Sequence, residues 1–232
     1  MNLLALETST EACSVALLAA GAVYSRSEIA PRRHAELLLP MCEAVLAEAG
    51  LRRRQLDAIA VGRGPGAFTG VRLAISAAQG IALALDVPVV PVSSLAALAL
   101  EAPADAGSIL AVIDARMGEL YAGVFRRGDD GLVHELAAET VGPADALRVP
   151  PGRRWDIVGT GWDTHADAIR ARLDAAPRSA RGLCYPLAVS IARLAAPRFV
   201  AGHGVAPEQA LPVYLRDKVA LTTSERAVVA QG

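Results

Sequence analysis

The chain is poor in the features that mark several binding classes. Its 23 basic and 24 acidic residues leave a formal net charge of −1. A protein that binds nucleic acid unaided carries a clear basic excess, so that solitary role is disfavoured. The clusters Arg32-Arg33, Arg52-Arg53-Arg54, Arg126-Arg127 and Arg153-Arg154 read as solvated surface rather than a phosphate track. The three cysteines, Cys13, Cys42 and Cys184, are odd in number and have no C-x-x-C spacing, which argues against a disulfide framework or a zinc ribbon. No basic segment precedes the apolar start and Glu7 interrupts it, so no secretory leader is read. The most apolar window, 81–100, is broken by Asp86, Pro88 and Pro91, and a membrane span is not expected there. These absences point to a reducing cytoplasm. What is abundant is core material: 53% of residues are hydrophobic and only 20% charged, enough for a sizeable core and against global disorder.

The most informative stretch is 62–72, GRGPGAFTGVR. It follows a short apolar run, 56–61, that reads as a buried strand. It precedes 71–85, which is too long and too rich in Ala and Leu to be one. The unit is strand, glycine loop, helix. Glycines serve where φ is positive or where something approaches the backbone closely, and a helix start suits an anion. The loop is not a Walker A motif, since no Gly-Lys-Ser/Thr follows. Gly64, Gly66 and Gly70 are spaced one residue too long for the dinucleotide fingerprint. Two readings stay open: a phosphate cradle, or a tight turn that lets the helix pack close to a sheet.

The rest of the chain reads as an α/β protein. Strands are expected at 2–6, 13–19 and 21–28, the first two joined by the polar turn Glu7-Thr8-Ser9-Thr10. That turn is either a phosphate- or metal-facing hairpin or ordinary hydroxyl turn chemistry. A helix over 31–49 presents Leu37, Leu38, Met41 and Val45 at helical spacing, with Pro40 expected to start or kink it. His34 would need a second imidazole one turn on to hold a metal, but position 38 is Leu38. In the helix 71–85, Ala74, Ala78 and Ala82 form a small-residue stripe, and the only polar residues are Arg72, Ser76 and Gln79. So little polar surface predicts a helix buried nearly all round, against the helix 31–49 or a second chain. On that reading Ala78→Arg would spare the fold and abolish partner binding. A strand at 87–92 and a helix at 95–101 capped by Ser93-Ser94 follow, and 102–107 (APADAG) marks a boundary.

Beyond it, 110–125 echoes 3–18: apolar run, acidic residue (Asp114 for Glu7), polar turn, apolar run. This suggests two lobes opened by the same hairpin, 1–105 and 106–232. The second continues with a turn at 128–131, strand 132–141, a short helix 143–147, strand 155–158, a turn at Gly159-Thr160-Gly161, and helices at 163–173 and 185–196. Residues 213–216 could be a strand or a docking segment, and 222–232 reads as frayed.

Two similar lobes with this opening resemble the actin/sugar kinase/Hsp70 superfamily. The segments LETST (6–10), HAELLLP (34–40), GRGPGAFTGVR (62–72), DARMGELY (114–121) and PVYLRDKVA (212–220) in this order resemble, more closely, the bacterial TsaB (YeaZ) family. The resemblance implies an α/β, actin-like fold. It implies a non-catalytic scaffold role in making threonylcarbamoyladenosine next to the anticodon of tRNAs reading codons that begin with A. The implied partners are a TsaD-like transferase, a TsaE-like ATPase and, through the complex, tRNA, with homodimers when alone. No tightly bound cofactor or metal is implied, with ATP or ADP at most at a partner interface. The transferase's His-x-x-x-His site is absent, so neither its chemistry nor a peptidase's can be carried over. A degenerate nucleotide site would fall on Glu7, Thr8, Ser9, Thr10, Gly64, Gly66, Asp114, Gly159 and Gly161. A partner interface would fall on His34, Glu36, Leu37, Leu38, Met41, Arg72, Ala74, Ile75, Ala78, Gln79 and Ala82. The rival expectation is an ATP-dependent small-molecule kinase or ATPase using Glu7, Thr8 and Asp114.

Overall fold

The computed structural model of the chain describes residues 1–151 and 153–216. Strands β1 (Asn2–Glu7), β2 (Ala12–Ala19), β3 (Ala22–Ile29), β4 (Ala58–Gly62) and β5 (Val89–Val92) form one sheet in the order β3-β2-β1-β4-β5. Strands β6 (Ser108–Arg116), β7 (Glu119–Arg127), β8 (Val133–Pro143), β9 (Trp155–Val158) and β10 (Ser179–Arg181) form the other. Its order, β8-β7-β6-β9-β10, is that of the first sheet. In each, an antiparallel meander is followed by two parallel strands. The two sheets thus bear out the internal echo, and the architecture is actin-like.

Helices α1 (His34–Glu48), α2 (Phe68–Leu85), α3 (Ser94–Leu100), α4 (Thr160–Arg170) and α5 (Ala188–Val200) complete the layers. Alternation along the strands decides who packs where. In β1, Leu4 and Leu6 face a cluster with Leu38, Cys42 and Val45 of α1 and Ala74, Ala78 and Ala82 of α2. Leu3 and Ala5 face the opposite way, into a cluster shared with α3, α5 and Ile109, Ala111 and Ile113 of β6. Leu110 and Val112 turn outward onto Trp155, Ile157 and Ile169. The layers therefore run α1/α2, first sheet, α3/α5, second sheet, α4. The inner face of the first sheet is lined by alanines (Ala5, Ala16, Ala58, Ala60), each fully buried, so α5 can lie close to it. Helix α5 follows the second sheet in sequence yet packs on β1, β2, β4 and β5, while α3 packs on β6, β7 and β8. The two halves share one core.

Several boundaries differ from the sequence reading. Helix α1 runs through Pro40, with Leu38, Cys42, Val45 and Leu46 buried along one face. Helix α2 begins at Phe68, inside the glycine loop, and α4 begins at Thr160. Helix α5 starts at Ala188 and continues through Pro197. The expected helix at 143–147 is the end of β8 and a single 3-10 turn, Ala144–Ala146. Strand β10, only Ser-Ala-Arg, has no apolar pattern to reveal it and exists through parallel pairing with β9. The frayed reading of 222–232 lies outside the described residues.

Helix α2 is 18 residues long with a mean hydropathy of 1.5, enough by length and composition to cross a membrane. Its alanine face, however, is packed on the chain's own sheet, a contact that a span would have to give up.

Candidate functional site

The β1–β2 turn, Glu7 to Thr10, is pressed against the glycine loop. Thr8 Oγ1 donates to the Gly70 carbonyl at 2.7 Å, and the Ala67 amide donates to the Ser9 carbonyl at 2.7 Å. There is no room between them for a side chain. A Cβ on Gly66 would lie 2.3 Å from the Ser9 carbonyl oxygen, and one on Gly70 would lie 2.0 Å from that of Thr8. Gly62 has the same constraint, since its Cβ would fall 1.9 Å from Glu7 Oε2. Gly64 has φ +89°, a conformation that L side chains rarely adopt. Close packing accounts for Gly62, Gly66 and Gly70, and a positive φ for Gly64.

Glu7 is fully buried. Its Oε1 accepts from the Ser9 amide at 2.5 Å and its Oε2 from Ser94 Oγ at 2.8 Å. Burial pushes its carboxyl above the usual range, and the hydrogen bonds from Ser9 and Ser94 only partly offset this. Both oxygens are spent on structure, so Glu7 is not a free base. Ser94 is the partner that sequence reasoning missed. The pair Ser93-Ser94 reads as a cap, and Ser93 does cap α3 through the Ala96 amide at 3.1 Å. Nothing in the sequence signals a bond from Ser94 to a residue so distant in the chain.

The second lobe repeats the arrangement. Gly159 has φ +114°, and its Cβ would lie 2.1 Å from the Val112 carbonyl oxygen; Gly161 is crowded by Leu120 and Val112. Thr160 Oγ1 accepts from the Asp114 amide at 3.2 Å. Asp114 Oδ1 accepts from the Arg116 amide at 2.8 Å, and its Oδ2 pairs with the Arg116 guanidinium at 3.1 Å. The turn that follows has three successive positive φ values, at Arg116, Met117 and Gly118.

Between the lobes lies a cleft of about 230 Å3, lined by Ser9, Thr10, Gly66, Phe68, Asp114, Arg116, Tyr121, Thr160 and Val213–Arg216 among others. The structure thus gathers Ser9, Thr10, Gly66 and Asp114 of the nucleotide expectation. Glu7, Thr8, Gly64, Gly159 and Gly161 are not part of the lining and serve the packing behind it. Among the described residues, no three His, Cys, Asp or Glu side chains group as a metal site would need. His34 Nε2 lies 2.9 Å from the Thr10 carbonyl, which ties the start of α1 to the same turn.

The interface expectation needs correction. Leu38, Ala74, Ile75, Ala78 and Ala82 are at most 4% exposed and face the chain's own sheet. They cannot meet a partner, and Ala78→Arg would disrupt the core rather than spare it. Arg72 stacks over the Phe68 ring at 3.2 Å, and Gln79 Nε2 donates to the Ala210 carbonyl at 3.1 Å. Glu36 is exposed beside Arg33, while Leu37 and Met41 are half-buried. Nor is α2 buried all round. Its outer face, Leu73, Ser76, Ala77, Gly80, Leu83 and Ala84, is half- or fully exposed, with Leu83 73% exposed. The missed signal is the stripe one step round the helix from the alanines.

Comparison with known proteins agrees with this architecture. The TsaD family model, described as tRNA N6-adenosine threonylcarbamoyltransferase, matches residues 22–220. The fold and that match define the class: an actin-like, TsaD-type domain. Within that class the chain belongs to the TsaB (YeaZ) family. It is 39% identical over 225 residues to the Escherichia coli (strain K12) tRNA threonylcarbamoyladenosine biosynthesis protein TsaB, covering 95% of this chain and 96% of that one. The Haemophilus influenzae protein of the same name is also 39% identical, covering 94% and 95%. The solved structure of YeaZ from Pseudomonas aeruginosa superimposes with a TM-score of 0.85 at 46% identity, over 92% of this chain and 99% of that one.

Two predictions follow from the packing. Gly70→Ala forces a Cβ into the Thr8 carbonyl and should cost about 3 kcal/mol or more, whereas Gly80→Ala, with nothing within 4 Å, should gain about 0.5–1 kcal/mol. Urea unfolding of both variants checks the opposite signs. Glu7, with its folded-state pKa raised, binds its proton more tightly folded than unfolded. Its contribution to stability is therefore complete below the ordinary glutamate value and is lost as pH rises through the folded-state one. Glu7→Gln should remove that slope, measured as a flatter dependence of Tm on pH than the parent above about pH 4.5.

Proposed function

We propose that the chain is the non-catalytic partner of a TsaD-like transferase in forming threonylcarbamoyladenosine next to the anticodon of tRNAs that read codons beginning with A. A TsaE-like ATPase joins the pair, and tRNA is met through the complex. Alone, the chain pairs with a second copy. It acts in the cytoplasm, and any ATP or ADP sits at a partner interface rather than on this chain alone. The first lobe, 1–105, carries the contact, and 106–232 forms the second.

The single observation that carries this reading is the outer face of α2. Its residues are apolar or small, and Ser76, Gly80, Leu83 and Ala84 are exposed in the isolated chain. Leu39, 54% exposed, adds to the apolar surface on α1. Small residues such as Ser76, Ala77, Gly80 and Ala84 let another helix come close, and an open apolar face of this kind marks an interaction site. The near-neutral charge supports a partner that leaves most RNA contact to others. Against the rival reading, a kinase or ATPase using Glu7, Thr8 and Asp114, Glu7 and Thr8 are held by hydrogen bonds away from the cleft lining, and of the three only Asp114 reaches it.

Leu83→Arg should leave the thermal unfolding curve within a few degrees of the parent and reduce capture by an immobilised TsaD-like transferase by about ten-fold or more. Unchanged capture would remove α2 from the interface. Ala78→Arg, by contrast, should lose the fold itself.

A further inference from the structure

One wall of the cleft, Val213–Arg216, comes from the extended segment 211–216 that follows the last helical turn. This segment is tied to the first lobe at three places. The Ala210 carbonyl just before it accepts from Gln79 Nε2 at 3.1 Å. The Val213 amide donates to the Arg63 carbonyl at 2.9 Å, within the glycine loop. The Tyr214 ring lies 6.1 Å from that of Phe68, with the Arg72 guanidinium 4.9 Å from its centre. Two residues further on, it is tied to the second lobe. Arg216 donates to the Ala115 carbonyl at 3.1 Å and pairs with the Glu119 carboxylate, on either side of the β6–β7 turn. The crossing from one lobe to the other takes only Tyr214, Leu215 and Arg216.

We infer that Leu211–Arg216 is a strap across the rim of the interlobe cleft that gates access to Ser9 and Thr10 on its lining. Three features support a gate rather than a passive crossing. The strap's anchors sit on the glycine loop, which packs on the turn carrying Ser9 and Thr10, and on the turn after Asp114. Ser9 shares the cleft lining with Val213–Arg216 and is only 1% exposed, so its hydroxyl is shut off from solvent. Tyr214 is 48% exposed and Phe68 53%, so the aromatic clasp is at the rim, where it can release without disturbing the core.

Thiol labelling of the full chain tests this. Cys13, Cys42 and Cys184 are buried, and burial raises their pKa values to about 11, 12 and 11, so they react slowly at neutral pH. Ser9→Cys places one new thiol on the cleft lining. In that background, Tyr214→Ala or Arg216→Ala should speed alkylation of Cys at position 9 by about ten-fold or more, as expected when a closed local state opens more often, and Tyr214→Phe should not. If Ser9→Cys fails to fold, Thr10→Cys carries the same measurement. Equal rates in all the chains would overturn the strap. So would an acceleration shared by Cys42, which is buried beneath α1 away from the cleft, because that would report general loosening.

Discussion

The structure depends on one close approach: the backbone of residues 7–10 lying directly on the backbone of the glycine loop. Two carbonyls, those of Thr8 and Ser9, occupy the space where Cβ atoms would be at positions 70 and 66. Because the contact is backbone to backbone, it fixes the β1–β2 turn, the start of α2 and, through Glu7 and Ser94, the start of α3. A buried carboxylate with both oxygens bonded is costly to break, since the partners would be left unsatisfied in a dry interior. One junction thereby sets the position of three elements around the cleft.

The second organising feature is the exchange of helices at the centre. With α5 on the first sheet and α3 against the second, the lobes cannot separate without exposing a shared core that includes Leu3, Leu95, Ile109, Phe125 and Ile191. Large opening between them is expensive. Motion near the cleft is left to its rim, where the turn at Arg116–Gly118 and residues 211–216 carry fewer buried contacts. The outer layers are free of this constraint, and that is where α2 presents its open face.

Much of this was legible in the residues. The duplicated hairpin shows in the matched runs at 3–18 and 110–125, because central strands buried on both faces read as continuous apolar stretches. The strand Trp155–Val158 was found at its own boundaries for the same reason. The alanine stripe of α2 was seen but assigned to the wrong neighbour. Periodicity tells which residues share a face, not whether the chain's own sheet or another molecule covers it. Between the two roles open to the glycine loop, the sequence could not choose, because close packing and phosphate binding ask for the same absence of Cβ. Ser94, β10 and the path of 211–216 were hidden because each depends on contacts across long stretches of chain.

The space left by the missing Cβ atoms of the glycine loop is thus filled by the protein itself, through the Thr8 and Ser9 carbonyls. Titration calorimetry of the isolated, full-length chain with magnesium ATP tests this most directly. Saturable binding tighter than about 1 mM, with Asp114 or Ser9 substitutions weakening it, would contradict the account. The account predicts no saturable heat in that range, about −4 kcal/mol of binding free energy.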